Sequence, residues 1–338
     1  MSGGSGRVAG WDVLRGIAIA LVMARHAFPD QFPGAGVVGV VMFFSLSGYL
    51  ITGVLQQELE RDGRVRLGRF YWRRAARLLP PLVAMVAVFA LVTLTLDPLD
   101  ERGLLLASVL VMLTFTANLP IADASPAAFH TWTLATEEQF YLLWPSTLLL
   151  GHRLRRLRTV LVVLTVLLLG VCVATLWRLS PHLDLAYPLP TSWAVCFVIG
   201  AAARLYLQRW QPPSQLVPVL LVLLGAMALA PLRGHFWTYL VAGPVVAAAA
   251  AVLMLAWRDW RDVGTRPAVR GLAALGVVSY GAYLWNYPFT MWLRPHLGGW
   301  AGPVAAAMTL AAAALSWHLV EKPVQRRVRQ RPRVDAPL

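Results

Sequence analysis

The sequence predicts an all-α polytopic membrane protein, and three observations lead to that prediction. Of the 338 residues, 58% are hydrophobic and only 14% are charged, whereas soluble domains carry about 25% charged residues. Apolar runs near the roughly 20 residues that span a bilayer recur from end to end. Arginine-rich stretches fill the short segments between these runs, as is typical of cytoplasmic loops.

Eleven candidate membrane segments follow from the apolar runs. They cover residues 12–29, 34–57, 80–97, 103–118, 133–150, 159–177, 191–208, 214–231, 236–257, 270–293 and 299–319. The basic stretches between and beyond them predict cytoplasmic N- and C-termini, which requires an even number of crossings. The segment 103–118 is the shortest and follows the polar break DPLDERG. We therefore expect it to be re-entrant or partial, which leaves about ten transmembrane helices.

The predicted organisation has three parts. They are a cytoplasmic N-terminus (1–11), a membrane domain (12–320) and a basic cytoplasmic tail (321–338), with no fused soluble domain. The first apolar stretch lacks a convincing small-residue cleavage site, so we expect it to be retained as a span. The net charge of +14 would suit nucleic acid in a soluble domain, but here topology explains the arginines, and no nucleic-acid partner is expected. The two cysteines lie inside apolar runs and indicate neither a disulfide nor a metal site.

The first segment, DVLRGIAIALVMARHAF, combines apolar residues with Asp12, Arg15, Arg25 and His26. Charged groups within a bilayer cost several kcal/mol and usually face a protein interior or a water-filled cavity. Arg15 and His26 are eleven residues apart, which places them within about 20° on one helical face and about 16 Å apart along the axis. Asp12 lies near the same stripe, and Arg25 is expected to point away from it. This helix therefore presents an acid, a guanidinium and an imidazole to one neighbour.

The second segment contains the motif FFSLSG, which ends in the pair Ser47-Gly48. Small residues let the backbones of two membrane helices approach closely, and packing alone would explain this motif.

The stretch RLGRFYWRRAARLLPP (66–81) carries Arg73, Arg74 and Arg77, and its Pro80-Pro81 pair is expected to open the next span. An interfacial basic helix with arginines at lipid headgroups is one interpretation. The other is a phosphate clamp, because guanidinium groups three residues apart share a helical face and suit phosphate oxygens.

Two further polar clusters lie near or within later segments. In HTWTLATEEQFYLLWP (130–145), Glu137 and Glu138 follow His130 and Trp132 at the mouth of a span, where a helix cap is the simpler explanation. SYGAYLWNYP places four hydrogen-bonding side chains in one span, and interhelical bonding would explain them: Ser279, Tyr280, Tyr283 and Asn286. In SWHLVEKP, Glu321 and Lys322 are expected to mark the cytoplasmic end of the last span.

Together these groups resemble the acyltransferase-3 family of integral-membrane acyltransferases. The resemblance covers nearly the whole chain in order: Arg15-(ten residues)-His26, FFSLSG, RRAAR-LLP, HTWTLATEEQFYLLWP, SYGAYLW and LVEKP. It implies transfer of acyl groups, often acetyl from acetyl-CoA, to hydroxyls of sugars and related acceptors. It further implies a catalytic role for His26 supported by Arg15, and donor handling by the Arg-x-x-Arg pair Arg74 and Arg77. Two positions depart from the family pattern: Val41-Met42 replace an acid before the Phe pair, and Asn286 replaces a frequent His, so Asn286 is not expected to be catalytic.

The mechanistic hypothesis assigns the general base to His26, since a neutral imidazole titrates near working pH. Glu137 or Asp12 would orient the imidazole or hold Arg15, and a covalent acyl-His26 route is the less favoured alternative. Arg73, Arg74 and Arg77 would bind the donor. The expected pocket residues are Asp12, Ser47, His130, Trp132, Glu138 and Tyr280.

The partners expected from this hypothesis are acyl-CoA, foremost acetyl-CoA, and a hydroxyl-bearing glycan, lipid-linked sugar or glycosylated small molecule. The lipid environment would be the bilayer of a bacterial cytoplasmic membrane, and no metal is expected. A transporter or flippase for an anionic or sugar-linked solute could use the same buried charges, although no internal sequence symmetry is seen. A catalytically inactive membrane scaffold is a third possibility.

Overall fold

The computed structural model of the chain describes residues 8–330, with side chains described to residue 327. Within this range the chain is helical and contains no strand, which confirms the predicted all-α class. The α-helices of the described residues are α1 (Ala9–Ala27), α2 (Ala35–Asp62), α3 (Leu67–Thr95), α4 (Leu105–Leu113), α5 (Trp132–Arg153), α6 (Leu157–Leu179), α7 (Ala194–Tyr206), α8 (Leu216–Leu229), α9 (Gly243–Ala256), α10 (Pro267–Val277), α11 (Ser279–Leu297), α12 (Ala301–Ser316) and α13 (Lys322–Gln330).

Several helices are suited to a membrane. Among the described residues, the helical runs long and apolar enough to cross one are Ala35–Asp62, Leu67–Thr95, Leu157–Leu179, Thr238–Ala256 and Ser279–Arg327. The total number of crossings and the side of each terminus stay predictions. Parts of the predicted N-terminus (1–7) and tail (331–338) lie outside the described residues.

Glycines let α2 approach α7 at backbone distance. A Cβ added at Gly48 would overlap the carbonyl oxygen of Phe197, and one added at Gly200 would overlap the carbonyl oxygen of Ser45. Each helix therefore presents a glycine to the backbone of the other, as small-residue motifs do in membrane bundles. The close approach predicted for Ser47-Gly48 is confirmed.

Glycines also let α1 pack closely against α10. A Cβ at Gly16 would overlap the carbonyl oxygen of Leu272, and one at Gly276 would overlap that of Asp12. On its other sides α1 packs against α2 and α11. The helix that carries Arg15 and His26 is therefore enclosed by protein, which is where charged groups within a membrane are tolerated.

Three predicted segments have different bounds in the structure. Helix α3 begins at Leu67 and runs through Pro80 and Pro81, so the prediction that these prolines open the span is wrong. Two prolines remove only two backbone donors, and packing on both sides can hold the helix together. The segment 270–293 is divided between α10 and α11. The segment 103–118 forms the nine-residue helix α4, which is far shorter than the roughly 20 residues of a span.

The C-terminal helical run continues past the boundary predicted at residue 321. Helix α12 passes through a π-turn, Trp317–Glu321, directly into α13. Glu321 is only 3% exposed and accepts a hydrogen bond from Ser316 at 3.3 Å. It is a buried group within the bundle, and its position at the cytoplasmic end of the last span stays a prediction.

Two opposite ends of the bundle are used below. The basic face is the end where α1 begins, α2 ends and α3 begins. The opposite face is the end where α1 ends and α2 begins. Since α1 runs from one to the other, Arg15 lies nearer the basic face and His26 lies at the opposite face.

Candidate active site

A cavity of about 660 Å³ opens at the basic face between α1, α2, α3, α5 and α11. Among the described residues, the arginines that line it are Arg15, Arg69, Arg73, Arg74 and Arg77. Its inner wall is apolar and aromatic. We call it the arginine cavity. It brings Arg15 together with all three arginines that the sequence suggested for donor binding.

Arg74 is held inside the protein by an acidic partner. Its Nε and Nη2 donate to Glu138 Oε1 at 2.9 and 2.8 Å, and its guanidinium carbon lies 3.0 Å from the centre of the Tyr141 ring. Glu137 Oε2 lies 4.0 Å from Nη2. By contrast, Arg77 is exposed and forms no ion pair within the described part of the chain. The two members of the proposed clamp are therefore not equivalent, because Arg74 already has a carboxylate.

Three other predicted residues line the arginine cavity: Ser47, Glu137 and Tyr280. Glu137 accepts a hydrogen bond from Tyr141 at 3.1 Å, and the Tyr280 hydroxyl donates to the Leu78 carbonyl at 3.0 Å. These contacts fix both side chains at the wall of the cavity.

Asp12 is 4% exposed and accepts a hydrogen bond from Arg15 at 3.0 Å. Of the two roles open to a carboxylate, orienting the imidazole or holding Arg15, this contact gives Asp12 the second. The ion pair compensates the charge of Arg15 where α1 enters the bundle.

A second cavity, of about 240 Å³, lies at the opposite face. Of the predicted site residues, His26, His130 and Trp132 line it. The lining also includes Arg25, Arg233, Arg294, Phe129, Tyr187 and Tyr287. We call it the histidine cavity.

A chain of hydrogen bonds fixes the orientation of His26. The Thr309 hydroxyl donates to the Ala305 carbonyl at 2.6 Å, so its oxygen must accept the bond from Asn286 Nδ2 at 3.2 Å. This turns Asn286 Oδ1 towards His26 Nδ1, at 2.6 Å. An amide oxygen only accepts, so Nδ1 carries the proton and Nε2 keeps its lone pair. The geometry thus selects the tautomer that a general base at Nε2 requires.

The two cavities meet at shared side chains. Val40 on α2 and Tyr283 on α11 line both of them. The Tyr283 hydroxyl donates to the His130 carbonyl at 2.7 Å and accepts from Thr133 at 2.5 Å. Val40 and Tyr283 therefore lie between the arginine cavity and the cavity that contains His26.

Three residues that line the histidine cavity, and the hydrogen-bond partner of His26, were missed or misjudged by the sequence analysis. Arg25 was expected to point away from the His26 face, but it lines the same cavity. Asn286 was set aside, and Arg233 and Arg294 were not considered. One signal for Arg294 was present: it follows Tyr287 by seven residues, which places both on one face of α11.

No metal-binding cluster occurs in residues 8–330: no group of three or more His, Cys, Asp or Glu side chains there could hold an ion. The described polar groups instead suit anion binding at one end and proton transfer at the other. The cysteines, Cys172 and Cys196, are buried and free.

Known proteins that are similar to this chain are acyltransferases. The model of the acyltransferase-3 family, described as an acyltransferase domain, matches residues 8–321. The chain is 27% identical to the peptidoglycan O-acetyltransferase OatA of Listeria monocytogenes over 93% of its length, and 28% identical to the putative peptidoglycan O-acetyltransferase YrhL of Bacillus subtilis over 94%. It is 24% identical to the O-acetyltransferase OatA of Staphylococcus aureus over 94%. The chain spans 55 to 57% of these relatives. No solved structure matches it.

Proposed function

This chain belongs to the acyltransferase-3 family, and from that premise we propose that it transfers an acyl group, foremost acetyl, from acyl-CoA to a hydroxyl of a sugar-containing acceptor. It is an integral membrane protein of a bacterial membrane. The observation that carries the proposal is that Val40 and Tyr283 line both cavities. These two side chains lie between an arginine-lined cavity and one that holds an oriented imidazole.

The arginine cavity is proposed as the donor site. Its volume of about 660 Å³ lies within the range of about 300–1,000 Å³ typical of ligand pockets. Arg73 and Arg77 are exposed at its rim, and guanidinium groups bind phosphate oxygens by charge-assisted hydrogen bonds. The abundance of arginine in the loops predicts that the basic face is cytoplasmic, where acyl-CoA is available.

Arg15, held by Asp12 at 3.0 Å, is proposed to guide the thioester-bearing arm as it passes from the arginine cavity towards His26. We assign Glu137 to the donor cavity, where it accepts from Tyr141. In this assignment Asn286 orients the imidazole, a role for which the sequence analysis offered Glu137 or Asp12.

His26 is proposed to act through Nε2. This nitrogen accepts the proton of the acceptor hydroxyl while the hydroxyl oxygen forms a bond to the thioester carbonyl carbon. As the carbon–sulfur bond breaks, the imidazolium returns the proton to the departing thiolate, so the products are an ester and free CoA thiol. Asn286 Oδ1 accepts from Nδ1–H throughout. General-base help of this kind contributes about 10²- to 10⁴-fold to the rate.

The test is acceptor-dependent thiol release by the purified full chain in lipid nanodiscs. With acetyl-CoA and a panel of glycan acceptors, we expect free thiol to appear at the rate at which one acceptor gains the mass of an acetyl group. A panel of longer acyl-CoAs then defines the donor. A protein that moves an acceptor across vesicles but releases no thiol would be a transporter, and the proposal would be wrong.

A further inference from the structure

The histidine cavity holds more positive charge than a general base needs. Arg25, Arg233 and Arg294 all line it beside His26. In the described part of the chain, only Arg233 of these three forms an ion pair, with Asp184 at 3.2 Å. Asp184 is not among the residues that line the cavity. The cavity therefore presents at least two guanidinium groups without an acidic partner.

We propose that this cavity binds an anionic carbohydrate, whose carboxylate or phosphate contacts Arg25 and Arg294 while a hydroxyl reaches His26. The inference rests on the proposed function and adds the charge class of the acceptor. Like charges repel strongly in a cleft with low-dielectric walls, and such a cleft concentrates ligands of opposite charge. A neutral sugar would leave that repulsion in place, whereas one anionic group would offset it.

Packing against neighbouring residues places Arg25 and Arg233 at the cavity. The Arg25 stem crosses α2 at Gly36, where an added Cβ would lie 3.0 Å from the Arg25 Cγ. Any larger residue at 36 would therefore displace the side chain. Arg233 stacks on the Tyr187 ring, with 4.7 Å between the guanidinium carbon and the ring centre. Packing thus holds Arg25 and Arg233 at the cavity wall, and Arg233 and Arg294 are exposed residues of its lining.

His130 also lies at the wall of the histidine cavity. It is 4% exposed, and its ring nitrogens are buried near the backbone of Ala127 and Leu284. The aromatic rings of Tyr187 and Tyr287 add apolar surface to this polar lining.

The experiment measures binding, which does not require transfer. Isothermal titration calorimetry with the full chain in nanodiscs compares 4-nitrophenyl β-D-glucuronide with 4-nitrophenyl β-D-glucoside, which differ by one carboxylate. A short-chain polyprenyl phosphoryl glucose provides the phosphate arm. We expect at least one anionic ligand to bind about tenfold or more tightly than the glucoside, since hydrogen bonds to charged groups are the stronger ones. Equal affinity for all three would overturn the inference.

Substitutions of single arginines test whether Arg25 and Arg294 cause the preference for anionic ligands. Arg25→Gln and Arg294→Gln should each raise the Kd for the preferred anionic ligand about tenfold, with the glucoside Kd unchanged. The matched control is Arg178→Gln, at an exposed arginine near the end of α6 that lines neither cavity. An equal loss in that control would assign the effect to general surface charge and overturn the inference.

If a Gln variant also loses binding of the glucoside, the Lys variant at the same position decides the matter. A recovered preference for the anionic ligand supports the site, and no recovery refutes it. Selective anion binding without any thiol release would instead refute the proposed function alone.

Discussion

Asn286→Leu is the substitution that best isolates the orientation of His26. Leucine is close in size to asparagine, but it removes the oxygen that accepts from His26 Nδ1 at 2.6 Å and the nitrogen that donates to Thr309 at 3.2 Å. The site is buried, with Asn286 2% exposed, so water does not readily replace the lost partner. His26 itself is untouched, as is the arginine cavity.

The expected loss of kcat follows from how the hydrogen bond between His26 and Asn286 changes during the reaction. A hydrogen bond between neutral groups contributes about 0.5–1.5 kcal/mol, and one to a charged group about 1.5–3 kcal/mol. As His26 takes the acceptor proton it becomes charged, so the bond to Asn286 strengthens by about 1–1.5 kcal/mol in the transition state. Removing it should lower kcat about tenfold. The KM for donor should not change, because Asn286 does not line the arginine cavity.

The assay is steady-state thiol release by wild type, Asn286→Leu, Asn286→Asp, His26→Ala and the double variant. Asn286→Asp keeps an oxygen for Nδ1–H and should retain more activity than Asn286→Leu. In the His26→Ala background, Asn286→Leu should have no further effect, since it acts through the imidazole. A full tenfold loss in that background would refute the reasoning. Asn118→Leu, at another buried asparagine that lines neither cavity, controls for folding and should leave kcat unchanged.

Three further predictions concern the donor site and the bundle. Arg77→Gln should raise the KM for acyl-CoA about tenfold with little change in kcat; an unchanged KM, measured by initial rates, would assign Arg77 to lipid. Glu138→Gln should lower the Tm because Arg74 loses its carboxylate. Adding Arg74→Gln to that variant should lower the Tm less than Arg74→Gln does in the wild type; additive Tm shifts in a thermal-unfolding assay would contradict this coupling. Gly48→Val should unfold or strongly destabilise the protein because its Cβ has no space, whereas Gly170→Val, with nothing within 4 Å, should not. Equal Tm values for the two glycine variants would exclude close α2–α7 packing.

The features that depend on a single helix were predictable from the sequence. The eleven-residue spacing of Arg15 and His26 sets their separation along α1 whatever the neighbours are. The small-residue motif at Gly48 likewise predicts close packing without naming the partner, which proves to be α7.

Contacts between two or more helices could not be predicted from the sequence in the same way. The sequence offered Glu137 or Asp12 as a residue that orients the His26 imidazole or holds Arg15, and did not choose between these roles. The structure gives that position to Asn286, 260 residues away along the chain. No periodicity within one segment reports such a contact, because it depends on how α1 and α11 pack.

The position of Arg25 at the histidine cavity could not be predicted from a single helix either. Arg25 lies next to His26 in sequence, and helical geometry rotates it by about 100°. The analysis of one helix therefore separated two side chains that a cavity between several helices brings together. The Pro80-Pro81 pair failed for a related reason: its local preference is to begin a helix, and packing around α3 overrides that preference.

The most direct measurement of the central claim is the acceptor-dependent rate of CoA release by His26→Ala in nanodiscs, at donor concentrations that saturate the wild type. Because the imidazole in the histidine cavity is proposed to remove the acceptor proton, the rate should fall by about 10²- to 10⁴-fold while binding of acetyl-CoA is retained. A folded His26→Ala protein that releases CoA at the wild-type rate would contradict the account.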